Sequence, residues 1–277
     1  MYTISGFSQN SNNSVLFIGN SLTKYKKNKM IDILKKFIKE SDSDLSIDYE
    51  VHNGGRLDDH TQIVWTSKYS GHGEGRDTIT ATTMQKMING HFNKIILQDP
   101  SWFIKQKREN NLYKRMQFIN TICKENNIEV YIYQAYPRFT NKITYFWNCN
   151  MTYSKGTTDI NKSKVINETY HSIKQQLDTI KTVSNEIESV IMPDSRIIPI
   201  GEILVEIYNR FPKTKMTISK TNLHPSKVIQ YALALAFYTY LTGDNPTKLK
   251  YNYKINDNIA HELKQLIFEY KTTHNNL

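Results

Sequence analysis

Apolar and polar positions along the chain follow two spacings in turn, one typical of strands and one typical of helices. Four consecutive apolar residues, Val15 to Ile18, predict a buried strand that Gly19 ends. The next stretch, KMIDILKKFIKE, places its apolar residues three and four positions apart, which predicts an amphipathic helix. Four further strands are predicted in DLSIDYEV, KIILQD, IEVYIYQAYP and RIIPIG. The pattern indicates an α/β protein.

Helices are predicted between and after these strands. They are ATTMQKMING, LYKRMQFINTICKENN, one long helix over residues 161 to about 191, EILVEIYNRF, an apolar helix from Pro225 to Gly243, and an amphipathic helix at about 257–271. Parallel strands need crossover connections, and helical crossovers cover both faces of the sheet. We therefore expect a three-layer α/β/α protein built on a five-stranded parallel sheet.

The size and the cysteine content favour one reduced domain. The chain has 277 residues, of which 39% are hydrophobic, enough for a full core. We expect a single domain over residues 1–277, with its core at about 15–243. Cys123 lies in a helical pattern, and neither it nor Cys149 has a metal or redox spacing, so both are expected to be reduced structural residues.

The net charge of +10 describes an electrostatic field and does not identify a site. Such a field favours polyanions, but the lysine clusters are as well explained by solvated helix faces, and we do not expect nucleic acid as a partner. No apolar run approaches the about 20 residues of a membrane span, and the polar start lacks a secretion signal. We expect a soluble protein, cytoplasmic unless an export signal has been removed. The sequence leaves the oligomeric state open.

Chemically useful residues follow the predicted strands. In a parallel sheet the carboxyl ends of the strands meet at one edge, where ligands bind. The five strand ends carry Gly19-Asn20-Ser21, Asn53-Gly54-Gly55, Gln98-Asp99, Gln134-Ala135-Tyr136 and Gly201-Glu202. The first three supply a nucleophile, a glycine turn and a side-chain amide. Acyl transfer uses this combination.

A serine nucleophile needs a base and preorganised N–H donors for the oxyanion. His224 is the best-placed base, because it directly precedes Pro225, the predicted first residue of the apolar helix. The backbone N–H groups of Ser21 and Gly55 and the amide of Gln98 are the candidate oxyanion donors. Ser21 would present its N–H at a positive helix end if it opens the first helix. Taken alone, Ser21 is equally well explained as a helix N-cap.

These blocks, with His224-Pro225-Ser226, resemble the four ordered motifs of the SGNH hydrolase superfamily, the GDSL-like lipases and acylhydrolases. The resemblance spans about Val15 to Gly243. It implies a flavodoxin-like α/β/α sandwich carrying a serine esterase, with no metal and no cofactor. By matching position, Ser21 is the nucleophile and also an oxyanion donor with Gly55, and His224 is the general base and then the general acid.

Two departures from the family pattern bear on the chemistry. The third motif of the family usually supplies an asparagine amide, whereas here the stretch is Leu97-Gln98-Asp99. Gln98 is therefore the candidate for the amide role. The alternative is that Gln98 is a structural residue bonded to a loop. The last motif usually has an aspartate three residues before the histidine, and Thr221 stands there. A threonine does not stabilise an imidazolium as a carboxylate does. The alternative supports for His224 are Asp194 and Glu202.

Aromatic residues near the strand ends are candidates for a substrate wall, namely Trp102, Tyr136 and Trp147. Trp147 belongs to a long segment, residues 137–159. The sequence fits two interpretations of this segment, a lid over the site and a loop packed against the body of the protein. The first functional hypothesis is hydrolysis of small acyl esters, preferably O-acetyl groups on a carbohydrate. The alternative is a catalytically degenerate domain that binds a glycan or polyanion.

Overall fold

The computed structural model describes most of the chain and all of the predicted strands. The described residues are 13–24, 28–52, 83, 86–87, 89–90, 92–98, 112–140, 142–148, 165–219 and 224–274. The strands are β1 (Ser14–Asn20), β2 (Ser46–His52), β3 (Lys94–Gln98), β4 (Glu129–Tyr133), β5 (Ile143–Asn148), β6 (Val165–Tyr170) and β7 (Arg196–Ile198). The helices are α1 (Met30–Glu40), α2 (Leu112–Glu125), α3 (Ile173–Glu186), α4 (Ile200–Arg210), α5 (Lys227–Thr242) and α6 (Asp257–His274).

Five strands form one parallel sheet in the order β2-β1-β3-β4-β7. Strand β1 lies between β2 and β3, so the residues that follow it are placed near the middle of the sheet edge. The predicted five-stranded parallel sheet and the α/β/α class are confirmed. Because every strand runs the same way, the residues after β1, β3, β4 and β7 share one edge, called here the carboxyl edge.

Two apolar cores lie on opposite faces of this sheet. Side chains of α1, α4, α5 and α6 pack against one face of the strands, where Phe17 and Tyr133 both lie edge-on to the ring of Phe237. Side chains of α2 and α3 pack against the other face. The alternation of side chains along each strand therefore buries both faces, as the continuous apolar runs of the sequence predicted.

Helix α5 is almost entirely buried and holds the segment before it against the sheet. Ser226 caps its start, since its hydroxyl accepts the N–H of Ile229 at 3.4 Å. Gly243 ends it with φ +82°, a left-handed conformation that suits glycine. The helix begins two residues after the predicted Pro225, because the serine takes the cap position. No helix in the described ranges is long and apolar enough to cross a membrane.

The predicted single helix over residues 161–191 is wrong in its first part. Residues 165–170 form β6, which pairs with β5 as a separate antiparallel ribbon. The hydroxyls of Thr144 and Thr169 lie 2.9 Å apart across this ribbon. Helix α3 begins only at Ile173. Ser172 is its N-cap, since the Ser172 hydroxyl accepts the N–H of Gln175 at 3.0 Å. Strand pairing, which periodicity cannot show, overrides the helical spacing here.

Cys123 is a buried free thiol on α2, as the sequence predicted. Burial raises its pKa to about 12, so the thiolate is scarcely populated near neutral pH. Cys149 lies outside the described residues.

Candidate active site

A tight turn after β1 carries Ser21. The N–H groups of Thr23 and Lys24 donate to the carbonyl of Asn20, at 2.9 and 3.2 Å, and the N–H of Leu22 donates to Asn20 Oδ1 at 2.9 Å. Three of the four consecutive N–H groups in the turn are therefore used internally. Within the described part of the chain, neither the N–H nor the hydroxyl of Ser21 takes part in a hydrogen bond. As far as these residues go, both groups are free to act as nucleophile and oxyanion donor.

This turn replaces the helix start that the sequence suggested for Ser21. Helix α1 begins nine residues later, at Met30, with Lys29 in the cap position. Ser21 is neither the N-cap of that helix nor a donor at its positive end. The availability of its N–H comes instead from the turn, in which Asn20 takes up the three following N–H groups.

Gln98, at the end of β3, is buried to 3% exposure and holds the Ser21 turn in place. Its Oε1 accepts the N–H of Asn20 at 2.9 Å and the hydroxyl of Thr23 at 3.0 Å. A backbone N–H can only donate, so the amide atom that faces Asn20 must be the oxygen. The Nε2 group makes no hydrogen bond within the described ranges. Gln98 is thus bonded to a loop and keeps a donor as well.

Gly19 is required for this arrangement. A Cβ at this position would lie 2.6 Å from Gln98 Oε1 and 2.7 Å from Thr23 Oγ1. Both distances are far below ordinary contact, so any side chain would displace the amide or the hydroxyl. The glycine therefore permits the close approach of β1 to Gln98.

The loop that carries His224 is tied at both sides. Thr217 and Pro225 form an antiparallel bridge. The carbonyl of His224 accepts the N–H of Ile218 at 2.9 Å, and the N–H of Ser226 donates to Met216 at 3.2 Å. These backbone bonds hold the histidine at the entrance to α5, where the sequence predicted a loop at the helix start.

His224 is half-buried, and its Nε2 atom is shielded from solvent. Burial lowers the pKa of the imidazole below its ordinary value of 6.5, because the charged form is poorly solvated there. Burial therefore favours the neutral form of the ring. A neutral imidazole is the form that accepts a proton.

Two buried amide side chains connect the Ser21 turn to the His224 loop. Asn28 Nδ2 donates to the carbonyls of Leu22 and Ser21, at 2.6 and 3.2 Å. Gln230 Oε1 accepts the N–H of Lys29 at 2.8 Å, and its Nε2 donates to the carbonyl of Pro225, also at 2.8 Å. The structure therefore brings the loops of Ser21 and His224 together at the carboxyl edge.

Glu202 follows β7 at the carboxyl edge but is engaged elsewhere. Its carboxylate accepts Lys181 Nζ at 2.6 Å, the hydroxyl of Tyr270 at 3.0 Å and Gln134 Nε2 at 3.3 Å. None of these partners is His224. The carboxylate is thus committed to a cluster that joins α3, α4 and α6.

Asp194 lies at the other end of the sheet. It precedes β7, so it is at the amino edge, and its carboxylate pairs with Lys124 at 2.7 Å with 71% of the side chain exposed. The structure does not bring it to His224. Neither carboxylate proposed from the sequence thus supports the imidazole, and Thr221 lies outside the described residues.

The structure describes only some of the remaining predicted site residues. Tyr136 follows β4 at the carboxyl edge, its hydroxyl is buried, and burial raises its pKa. Trp147 lies on β5, and its side chain is outside the described part of the structure. Gly55 and Trp102 also lie outside it. Among the described residues, no three His, Cys, Asp or Glu side chains converge as a metal site would require.

Sequence reasoning missed Asn28 and Gln230. Gln230 carries a visible signal, since it is an amide inside the otherwise apolar stretch VIQYALALAF. A polar side chain buried in such a helix must find hydrogen-bond partners. Asn28 carries no comparable signal, because it lies in a lysine-rich segment that is typical of solvent-exposed chain.

Solved structures of low sequence identity share this fold. A DUF4886 family protein from Bacteroides uniformis superposes with a TM-score of 0.62 at 14% identity, covering 95% of this chain and 96% of that chain. A proposed SGNH hydrolase from Slackia heliotrinireducens superposes with a TM-score of 0.51 at 14% identity, covering 81% of this chain and 96% of that chain. No known family profile and no curated protein matches this sequence. The resemblance to the SGNH hydrolases is confirmed at the level of the fold.

Proposed function

We propose that this protein is a serine esterase that hydrolyses small acyl esters, with Ser21 as nucleophile and His224 as general base. The observation that carries the proposal is the joining of their two loops through Asn28 and Gln230. The unused N–H and hydroxyl of Ser21 add to it. The SGNH-hydrolase fold is consistent with the same chemistry.

In the proposed reaction, His224 takes the proton of the Ser21 hydroxyl as the oxygen attacks the ester carbonyl. The carbonyl oxygen becomes an oxyanion, which the N–H of Ser21 and the Nε2 group of Gln98 stabilise. Gly55 is the third donor proposed from the sequence. His224 then gives its proton to the departing alcohol, which leaves an acyl ester on Ser21. Water, deprotonated by His224, releases the acid and restores the serine.

In this proposal the imidazole of His224 takes no support from Asp194 or Glu202. Burial makes the imidazolium costly, and that ion forms in both halves of the reaction. Thr221 and the backbone of the His224 loop are further candidates for orienting the ring.

The preferred substrate in this proposal is an O-acetyl group on a carbohydrate. This preference rests on the resemblance to the SGNH hydrolases and on the aromatic residues near the strand ends. Trp102, Tyr136 and Trp147 are the candidate wall on which a sugar ring would stack. The wall rests on the sequence pattern and on the position of Tyr136 at the carboxyl edge.

Hydrolysis of p-nitrophenyl acetate tests the proposal. Ser21→Ala is expected to lower the rate to the background, and His224→Ala to lower it by about 10²–10⁴-fold, the usual contribution of a general base. Ser189→Ala and His261→Ala are matched controls, because both residues are exposed on helical surface and neither belongs to the proposed site. Equal rates in the wild type and all four variants would contradict an esterase that uses these residues.

A second candidate function, non-catalytic binding of a polyanion or glycan, is favoured by the net charge of +10. It predicts that the protein binds heparin with an affinity that falls steeply with added salt. It also predicts that Ser21→Ala and His224→Ala leave that binding unchanged. Heparin binding without any serine-dependent ester hydrolysis would replace the esterase proposal with this one.

A further inference from the structure

We infer that Asn28 and Gln230 are positioning residues that hold Ser21 and His224 at reacting distance. The inference rests on the proposed esterase function. The two side chains are linked through the backbone between Asn28 and Lys29. Their hydrogen bonds, called here the amide bridge, connect the carbonyls of Ser21 and Leu22 at one end with the carbonyl of Pro225 at the other.

Asn28 forms the serine side of the amide bridge. Its side chain is fully buried, and its Nδ2 group donates to both Leu22 and Ser21. Its Oδ1 atom accepts the N–H of Met30 at 3.2 Å, at the start of α1. Every polar atom of the side chain therefore has a partner, and the Ser21 turn is fixed to the first helix.

Gln230 forms the histidine side of the amide bridge. It is 3% exposed, its oxygen accepts from Lys29 and its nitrogen donates to Pro225, next to His224. Both bonds are 2.8 Å long and buried or partly buried, so water does not compete effectively for them. One planar amide thus sets the spacing between the backbones of the two loops.

The side chain of Gln230 is not required to build α5. Its own N–H donates to Ser226 at 2.8 Å within the helix, and its neighbours in α5 are buried apolar residues. By contrast, the buried hydroxyl of Thr239 in the same helix donates to Leu235 at 2.8 Å and stays local. An apolar residue at 230 would complete the core, whereas an amide there costs desolvation that two bonds to other segments offset.

The position of the amide bridge predicts a role in the chemical step. A misplacement of about 1 Å between a nucleophile and its base costs up to about 10²-fold in rate. The amide bridge spans the gap between the two segments whose separation decides the Ser21 to His224 distance. Its loss is therefore expected to affect the chemical step more than substrate binding.

The first test compares Gln230→Met with Thr239→Val in p-nitrophenyl acetate hydrolysis. Methionine matches the length of glutamine and removes both bridge bonds, and valine removes one buried hydrogen bond from the same helix. We expect kcat to fall about 10- to 100-fold in Gln230→Met with KM within threefold, since positioning acts on the reacting atoms. Thr239→Val should keep the wild-type kcat, and thermal melting shows that both variants are folded at the assay temperature.

The second test is a double-mutant cycle between residues 230 and 224. If the amide bridge acts through the histidine, Gln230→Met should lower kcat in the wild type but have no further effect in the His224→Ala background. A purely structural role predicts the same fold-loss in both backgrounds. Should Gln230→Met fail to fold, Asn28→Asp takes its place, because it keeps the acceptor for Met30 and loses the donor toward Ser21.

Two results would overturn the inference, and they differ from failure of the proposed function. One is a kcat within twofold of wild type in folded Gln230→Met. The other is an equal loss in the presence and absence of His224. Either result counts against the inference alone only if Ser21→Ala abolishes hydrolysis in the same assay. If Ser21→Ala remains active, the esterase proposal itself fails and the inference fails with it.

Discussion

Two glutamines at the carboxyl edge accept similar hydrogen bonds through their side-chain oxygens. They differ in whether the side-chain nitrogen also has a partner. Gln98 ends β3, and its Oε1 accepts the N–H of Asn20. Gln134 follows β4, and its Oε1 accepts the N–H of Glu202 at 3.4 Å. Each lies against a glycine, Gly19 or Gly201, whose missing Cβ allows the approach.

The difference lies at the nitrogen of each amide. Gln134 Nε2 donates to Glu202, which also accepts from Lys181 and Tyr270. The polar groups of this cluster therefore bond one another, and we call it the closed cluster. Gln98 Nε2 has no partner within the described residues, and it lies beside a serine whose N–H and hydroxyl are also unused. Closed hydrogen bonding is typical of a structural cluster, whereas unused donors at an edge are typical of a binding site.

Substitution of the two glutamines by leucine should separate these roles most strongly. Gln98→Leu removes the proposed oxyanion donor and is expected to lower kcat for p-nitrophenyl acetate by about 10²–10³-fold. Gln134→Leu should keep kcat within threefold and lower the free energy of unfolding by about 1–3 kcal/mol, since it leaves the Glu202 N–H without its partner. Kinetics and urea denaturation measure both effects. Equal rate losses in the two variants would remove the distinction between the clusters.

Alanine at the two glycines tests the same contrast with a smaller change. In Gly19→Ala the new Cβ meets side-chain atoms, Gln98 Oε1 at 2.6 Å and Thr23 Oγ1 at 2.7 Å, so the amide is displaced and kcat should fall about 10-fold. In Gly201→Ala the Cβ meets the backbone oxygen of Ala135 at 2.4 Å, which cannot move aside easily. That variant should lose about 1–3 kcal/mol of stability and keep its rate. A Gly19→Ala variant with the wild-type rate would show that Gln98 does not need its present position.

The pH dependence of kcat/KM is the prediction with the smallest expected effect. His224 must be neutral to act as a base, so activity is lost as pH falls through its pKa. Burial lowers that pKa, and the midpoint of the acid limb is therefore expected below 6.5. Glu202→Gln should leave the midpoint unchanged, because that carboxylate belongs to the closed cluster. A midpoint above 6.5 that drops in Glu202→Gln would mean that the two clusters are coupled through His224.

The sequence predicted the sheet and the edge well, because apolar runs report burial directly. It failed over residues 165–170, where the apolar positions of VINETY fit a helix equally well and only pairing with β5 decides. It also left open a helix start at Ser21, since a serine before a lysine-rich helical segment looks the same whether eight residues intervene or none. Local pattern cannot resolve such cases.

The connection between the two loops was beyond sequence reasoning for a different reason. Lys29 and Gln230 are 201 positions apart, and their hydrogen bond depends on how α1 and α5 pack. Conversely, Glu202 looked like a candidate support for His224 because it follows a strand. Its capture by Lys181, on α3, and Tyr270, on α6, becomes visible only in three dimensions.

The central claim is that Ser21 and His224 form one reacting pair at the carboxyl edge. Labelling with a p-nitrophenyl alkylphosphonate, followed by peptide mass mapping, tests it directly, since the serine oxygen must displace p-nitrophenol and retain the phosphonyl group. We predict a single adduct on Ser21, formed about 10²–10⁴-fold more slowly in His224→Ala. An adduct on another residue, or labelling of Ser21 at the same rate without His224, would contradict the claim.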